Sequence, residues 1–229
     1  MTERSYFSKQ TFSFLRQLKR NNTKDWFQAH KNDYEQMVRL PLIEFIQDLA
    51  LPLQKISPFI IADPRLVGGS MFRIHRDVRF SKDKSPYKTN AGAHFRHEAG
   101  KDAHAPGYYL HIEPGNVFAG AGIWRPDTVT VTRIREMIVA EPKAWQQSLT
   151  GKNMKSICRL EGEKLKNAPR GFDPDHPLVE DLKQKSFAVS RPFSESEACQ
   201  ADFLKQYVQF CRSSMPYMLF LTKALDLPF

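Results

Sequence analysis

The stretch "GYYLHIEPGNVFAGAGIW", residues 107–124, decides the fold class. Two runs with a period of two, 107–113 and 116–124, flank Glu113-Pro114-Gly115-Asn116, a tetrapeptide with hairpin-turn chemistry. Alternate residues of a strand point to opposite faces, so Tyr108, Leu110 and Ile112 take one side while Tyr109, His111 and Glu113 take the other. An antiparallel hairpin with one apolar face follows. Phe118, Gly120, Gly122 and Trp124 also share a face, where bare glycines make room for a ring, a backbone or a ligand, or let a helix pack closely.

Upstream, 91–97 reads as another strand, and the period of two reaches back to Val67. In "FRIHRDVRFSKDKSPYKT", residues 72–89, apolar Phe72, Ile74, Val78 and Phe80 alternate with Arg73, His75, Asp77 and Arg79, which predicts a strand. Arg76 falls on the apolar side. Burial of its charge requires a partner, so it reads as a brace to an acid, with Glu113 on a neighbouring strand better placed than Asp77 or Asp83. Six cations, Arg73, Arg76, Arg79, Lys82, Lys84 and Lys88, surround only those two aspartates.

Helices bracket this block. Ser8 caps a helix carrying Phe12, Leu15 and Leu18, Thr23 opens a second, and Pro41 begins a third with Leu42, Phe45, Ile46 and Leu49. Asp127 caps a later helix with Val131, Ile134 and Ile138, "SFAVSRPF" reads as one more strand, and Ser194 opens a long C-terminal helix bearing Phe203, Leu204, Tyr207 and Cys211. The expectation is one α+β domain over 1–229, helical at 8–57, sheet-rich at 67–124, and helical with loops at 127–229. Its sheet is largely antiparallel, flanked by N-terminal and C-terminal helices.

With 41% hydrophobic residues in 229, the chain can fill a packed interior. A formal charge of +9, from 34 basic and 25 acidic residues, favours anionic partners. No apolar run nears the roughly 20 residues that span a bilayer, and the N-terminus lacks a secretory pattern, so a cytoplasmic protein without membrane contact is expected. Cys158, Cys199 and Cys211 are odd in number and far apart, which predicts buried free thiols rather than a disulfide framework. Neither Gly-x-Gly-x-x-Gly, a Walker pattern nor a nucleophile elbow occurs, and no motif names a cofactor.

The segments "RIHRDVRFSKDKSPYKT", "GYYLHIEPG", "PRGFDPDHP" and "FLRQLKRNNTKDWF" together resemble the widespread bacterial family catalogued as domain of unknown function 2461. Arg73, Arg76, Asp77, Arg79, Phe80, Lys84 and Tyr87 match that family's spaced signature. The resemblance implies a single domain of about this length. It carries no activity, cofactor or catalytic residue.

The residues themselves predict a pocket for a phosphorylated or otherwise anionic small ligand. Arg73, Arg76, Asp77, Arg79, Lys84 and Lys88 form its charged wall, guanidinium forks grip the anion, and Tyr87 and Tyr109 line it. Arg170, with Asp173, Asp175 and His176 of the loop 166–177, is expected to face the same cleft. His111 and Glu113 are the candidate acid–base pair. His-x-Glu would bind a metal only if His75, Asp77 or His94 joined it, and no metal is predicted. Two other classes compete: a nucleic-acid binder with Lys82, Lys84, Lys88 and Arg96 on phosphates and Tyr87 or Trp124 for stacking, and a structural or partner-binding module.

Overall fold

The computed structural model describes residues 4–100, 105–150, 154 and 159–229. Helix α1 (Lys9–Arg20) starts where expected: the Ser8 hydroxyl accepts from the Gln10 amide at 3.2 Å, in a capping box completed by Thr11. Thr23 likewise caps α2 (Lys24–Ala29), accepting from the Trp26 amide at 3.3 Å. The third helix does not begin at Pro41. A rod runs from α3 (Lys31–Tyr34) through a π-helical turn at Glu35–Arg39 into α4 (Leu40–Gln54). There the Leu40 amide reaches back five residues to the Glu35 carbonyl, and the wider turn accommodates Pro41, which has no amide hydrogen to give.

Among the described residues six strands form one antiparallel sheet: β1 (Ile60–Ile61), β2 (Ala91–His97), β3 (Gly107–Glu113), β4 (Asn116–Ile123), β5 (Arg159–Glu161) and β6 (Phe187–Phe193). Their spatial order is β1-β2-β3-β4-β6-β5. The expected hairpin is present, with Glu113 paired to Asn116 across a two-residue turn in which Gly115 has φ +77°. With helices at both ends of the chain, the architecture is α+β.

One face of the sheet is sealed. Phe95, Tyr108, Leu110, Ile112, Ala119, Ile123 and Val189 are buried against α4 and two C-terminal helices, α9 (Phe203–Ser213) and α10 (Met215–Ala224). Two further helices, α5 (Thr128–Ala140), capped by Asp127 as predicted, and α6 (Pro142–Thr150), pack on α10. The fully buried Trp145 of α6 joins the layers through edge contact with Phe187, 6.0 Å between centroids, and a tilted contact with Phe220 at 5.2 Å. Burying a side chain of that size contributes roughly 1.5–3 kcal/mol or more.

Two further expectations are corrected. Residues 72–80 are not a strand. Only Met71 bridges β2, at Ala93, and the chain then folds into a two-limbed arm in which His75 bridges Tyr87. Asp77 accepts from the Arg79 amide at 3.2 Å and Asp83 from the Ser85 amide at 2.9 Å; such local bonds, with Pro86, outcompete a ladder. The long helix from Ser194 is broken into α8 (Glu195–Ala198), α9 and α10, because Ser194 and Asp202 begin separate turns and Pro216 opens the last. A short helix, α7 (Val179–Leu182), follows the 166–177 loop, and its lead-in is held by His176 Nδ1 accepting from the Leu178 amide at 3.1 Å.

Among the described residues, Arg135 is buried, and its guanidinium donates to the carbonyls of Leu182 at 2.7 Å and Gln184 at 3.1 Å. Of the cysteines, Cys211 is a buried free thiol, Cys199 is only half-buried, and Cys158 lies outside the described residues.

Gly122 pins β4 to β6. Its φ is +118°, and a Cβ there would meet the Phe187 carbonyl oxygen at 2.1 Å. Gly122→Ala is therefore expected to cost more than about 1 kcal/mol in chemical denaturation; unchanged stability would contradict this register.

Candidate functional site

The other face of the sheet is open. Small residues pave its middle, Gly120 and Gly122 on β4 and Ala188 and Ser190 on β6, and taller side chains rise around them to enclose a cavity of about 640 Å³. Rings from Phe72, Tyr109, His111, Phe118 and Trp124 line it, and Arg159 and Glu161 stand at the β5 end. The volume lies within the usual range for small-molecule sites, about 300–1,000 Å³.

Along β3, Tyr109, His111 and Glu113 form a hydrogen-bonded row on this face. The Glu113 carboxylate lies 3.2 Å from His111 Nε2, so that nitrogen carries the hydrogen. Nδ1 of the neutral ring then accepts, and the Tyr109 hydroxyl donates to it at 2.8 Å. Asn90 Nδ2 approaches the same nitrogen at 3.5 Å, and the Thr89 hydroxyl donates to the other Glu113 oxygen at 3.3 Å. Phe118 stacks on the imidazole with centroids 4.8 Å apart. Gly92 opposes His111 on β2, and a Cβ there would sit 2.8 Å from the Tyr109 hydroxyl, so its bareness makes the row's first bond fit.

The electrostatics keep this row neutral at its centre. Burial lowers the His111 pKa, and the Glu113 carboxylate opposes that without reversing it. Burial, reinforced by Glu113, pushes the Tyr109 phenol up to about 12. Across on β2, His94 is held down to about 4, by burial first and by the Arg96 charge second. Arg96 Nε donates to His94 Nδ1 at 3.1 Å. Among the described residues there is no group of three His, Cys, Asp or Glu placed to hold a metal ion.

A second hollow of about 310 Å³ adjoins the first, walled by Lys19, Asn22, Arg76, Asp83, Lys88 and the bridging Thr89 and Asn90. Lys88 connects the two: its ammonium lies 5.0 Å from the centroid of Phe72, a ring that lines the larger cavity. Half-burial lowers the Lys88 pKa, and the Arg73 guanidinium lowers it further. Neither cation has a carboxylate partner among the described residues.

The other predicted site residues are distributed differently. Arg79 is exposed and bound to Asp77, its Nε donating at 3.0 Å, so these two neutralise each other at the arm's tip. Arg76 is bridged to Asp83, not to Glu113, because the arm folds back and brings the seven-residue partner alongside. Lys84 donates to the Val78 carbonyl at 3.0 Å. Tyr87 lines the second hollow but is only 6% exposed, stacking on Phe27 at 4.1 Å, while Asn22 takes up its backbone amide and carbonyl in the manner of a strand partner. Arg170, Asp173, Asp175 and His176 line neither hollow, since Asp173 and His176 spend their acceptors on the loop's own amides. Phe72, Thr89, Asn90, Arg159, Glu161 and Ser190 were missed; each reaches the site through strand pairing or a chain reversal remote in sequence.

A family model described as "Conserved hypothetical protein (DUF2461)" matches residues 10–220, and the chain belongs to that family. No curated protein and no solved structure matches the chain.

Two depressed imidazoles set a pH dependence. Below the ordinary value of 6.5 the unfolded chain takes up protons that His94 in the fold refuses until about 4. Stability is thus full above pH 6.5 and is expected to fall as pH drops from there toward about 4. His94→Phe should flatten this loss in denaturation curves recorded across that range; an identical slope in the variant would contradict the assignment.

Proposed function

We propose that this family member is a cytoplasmic small-molecule-binding protein whose ligand carries an anionic group, held at Lys88 and Arg73, and a ring-bearing body that lies in the aromatic-walled cavity. The single observation that carries the reading is the half-buried Lys88 ammonium, which shares its surroundings with a second cation and has no carboxylate partner among the described residues. Lys88 lines the second hollow and the exposed Arg73 stands close to it, so the recess carries a positive potential complementary to an anion. Lys19, in the last turn of α1, adds a third positive charge to the same recess.

The Tyr109–His111–Glu113 row supplies proton handling next to the bound body. Tyr109, protonated at neutral pH, presents its oxygen to the ligand; a proton taken up there can pass to His111 Nδ1 while Glu113 stabilises the resulting imidazolium. In this reading His111 and Glu113 are the acid–base pair, with Tyr109 as the group that touches the ligand.

A second reading, single-stranded nucleic acid on the arm, is favoured by Phe80. This ring is 96% exposed, lies 5.9 Å from the Arg79 guanidinium, and is flanked by exposed Lys82 and Lys84. It replaces Tyr87, which is buried, as the stacking residue. Here Phe80→Ala would weaken oligonucleotide binding, and affinity would fall steeply with salt; binding unaffected by Phe80→Ala would exclude it.

For the leading reading, a thermal-shift screen with inorganic phosphate, sulfate and ribose 5-phosphate should raise the wild-type melting temperature. Lys88→Met is expected to weaken binding about ten- to hundredfold, the worth of one charge-assisted bond of roughly 1.5–3 kcal/mol. It should leave the ligand-free melting temperature equal or higher, because it removes a half-buried charge that has no carboxylate partner among the described residues. Full ligand response in Lys88→Met would overturn the reading.

A further inference from the structure

The far end of the cavity carries information about the ligand body. Arg159 and Glu161 are two residues apart on β5, and both line the cavity. Same-face neighbours on a strand lie roughly 7 Å apart, and these two make no ion pair with each other. Their register fixes them opposite β6: Arg159 pairs with Ser190 and Glu161 with Ala188. The Ser190 hydroxyl donates to Glu161 Oε1 at 2.5 Å, which orients the carboxylate and leaves Oε2 free. Arg159 has no carboxylate partner among the described residues. The sheet therefore presents an exposed guanidinium donor beside a carboxylate that keeps one free oxygen, at the edge of an apolar floor.

A planar edge that satisfies both must offer an acceptor next to one or more N–H donors. A 6-oxopurine has that edge: O6 accepts, and N1–H with the exocyclic amine donates. Adenine reverses the pattern at the corresponding positions, placing its amine toward Arg159 and a bare ring nitrogen toward Glu161. The floor of Gly120 and Gly122 leaves a flat surface without side chains for a fused ring, with Trp124 at its rim.

We propose that the ligand of this hollow is a nucleoside monophosphate with a 6-oxopurine base, its phosphate at Lys88 and Arg73, its ring over Gly120 and Gly122, and its lactam edge on Arg159 and Glu161. The inference rests on the anion-binding reading above and assigns the other end of the same ligand. Arg159 and Glu161 are the specificity-determining pair. A missing or reversed hydrogen bond leaves one of these groups desolvated and unpaired, which is how polar sites discriminate strongly between similar bases.

Calorimetric titration of the full chain with GMP, AMP, ribose 5-phosphate and inorganic phosphate tests it. GMP should bind at least about tenfold more tightly than both AMP and ribose 5-phosphate. Glu161→Gln should lower GMP affinity about tenfold while ribose 5-phosphate affinity stays unchanged, and this exposed edge substitution should not alter the melting temperature. Equal binding of GMP, AMP and ribose 5-phosphate, still lost in Lys88→Met, would overturn the base assignment and leave the anion site standing. No binding of any of the four would overturn both.

Discussion

A strand gives alternate side chains to opposite faces, and that period of two in β3 and β4 is what the rest of the molecule is arranged around. Tyr108, Leu110 and Ile112 turn inward and are covered by helices, which anchors the hairpin. The intervening Tyr109, His111 and Glu113 have then no choice but the open face, and their mutual spacing lets one imidazole bond to both neighbours. The same period sets Gly120 and Gly122 beside them, so the open face is low in the middle and walled at its margins. A hollow results from strand geometry and residue size without any loop having to form a lid.

Charge is handled in two contrasting ways. Several cations on the surface are neutralised nearby: Arg4 by Glu44, Arg16 by Glu195, Arg65 by Asp63, Arg79 by Asp77. Such exposed pairs contribute about 0–1 kcal/mol each and mainly settle side-chain positions. Inside, Arg135 is satisfied by carbonyls alone. Lys88 follows neither pattern: it is half-buried, has no carboxylate partner among the described residues, and lies close enough to the exposed Arg73 for that charge to depress its pKa. A fold that tolerates this repulsion beside a cavity is suited to receive negative charge there.

Local signals carried the architecture well. Ser8, Thr23 and Asp127 announce helix starts because an N-cap is decided by the next three residues, and Pro-Gly between two alternating runs announces the hairpin for the same reason. The arm was misread because its alternation is genuine, whereas its conformation is set by aspartate–amide bonds and by Asn22 acting as a strand partner from far away in the chain. Within the site, Tyr109, His111 and Glu113 were legible as one face of one strand. Arg159 and Glu161 were not, since only pairing with β6 brings a three-residue edge strand to the cavity. Arg170 looked like a site residue on charge alone, and charge does not specify direction.

The central claim is that Lys88 is an unpaired cation awaiting an anion, and the titration of its own ammonium reports on that directly. With lysine side chains isotopically labelled, NMR across alkaline pH should show Lys88 titrating below the ordinary value of 10.5 in phosphate-free buffer. Addition of ribose 5-phosphate should raise that pKa, because the bound anion favours the charged form. An unshifted Lys88 that ignores the added anion would contradict the account.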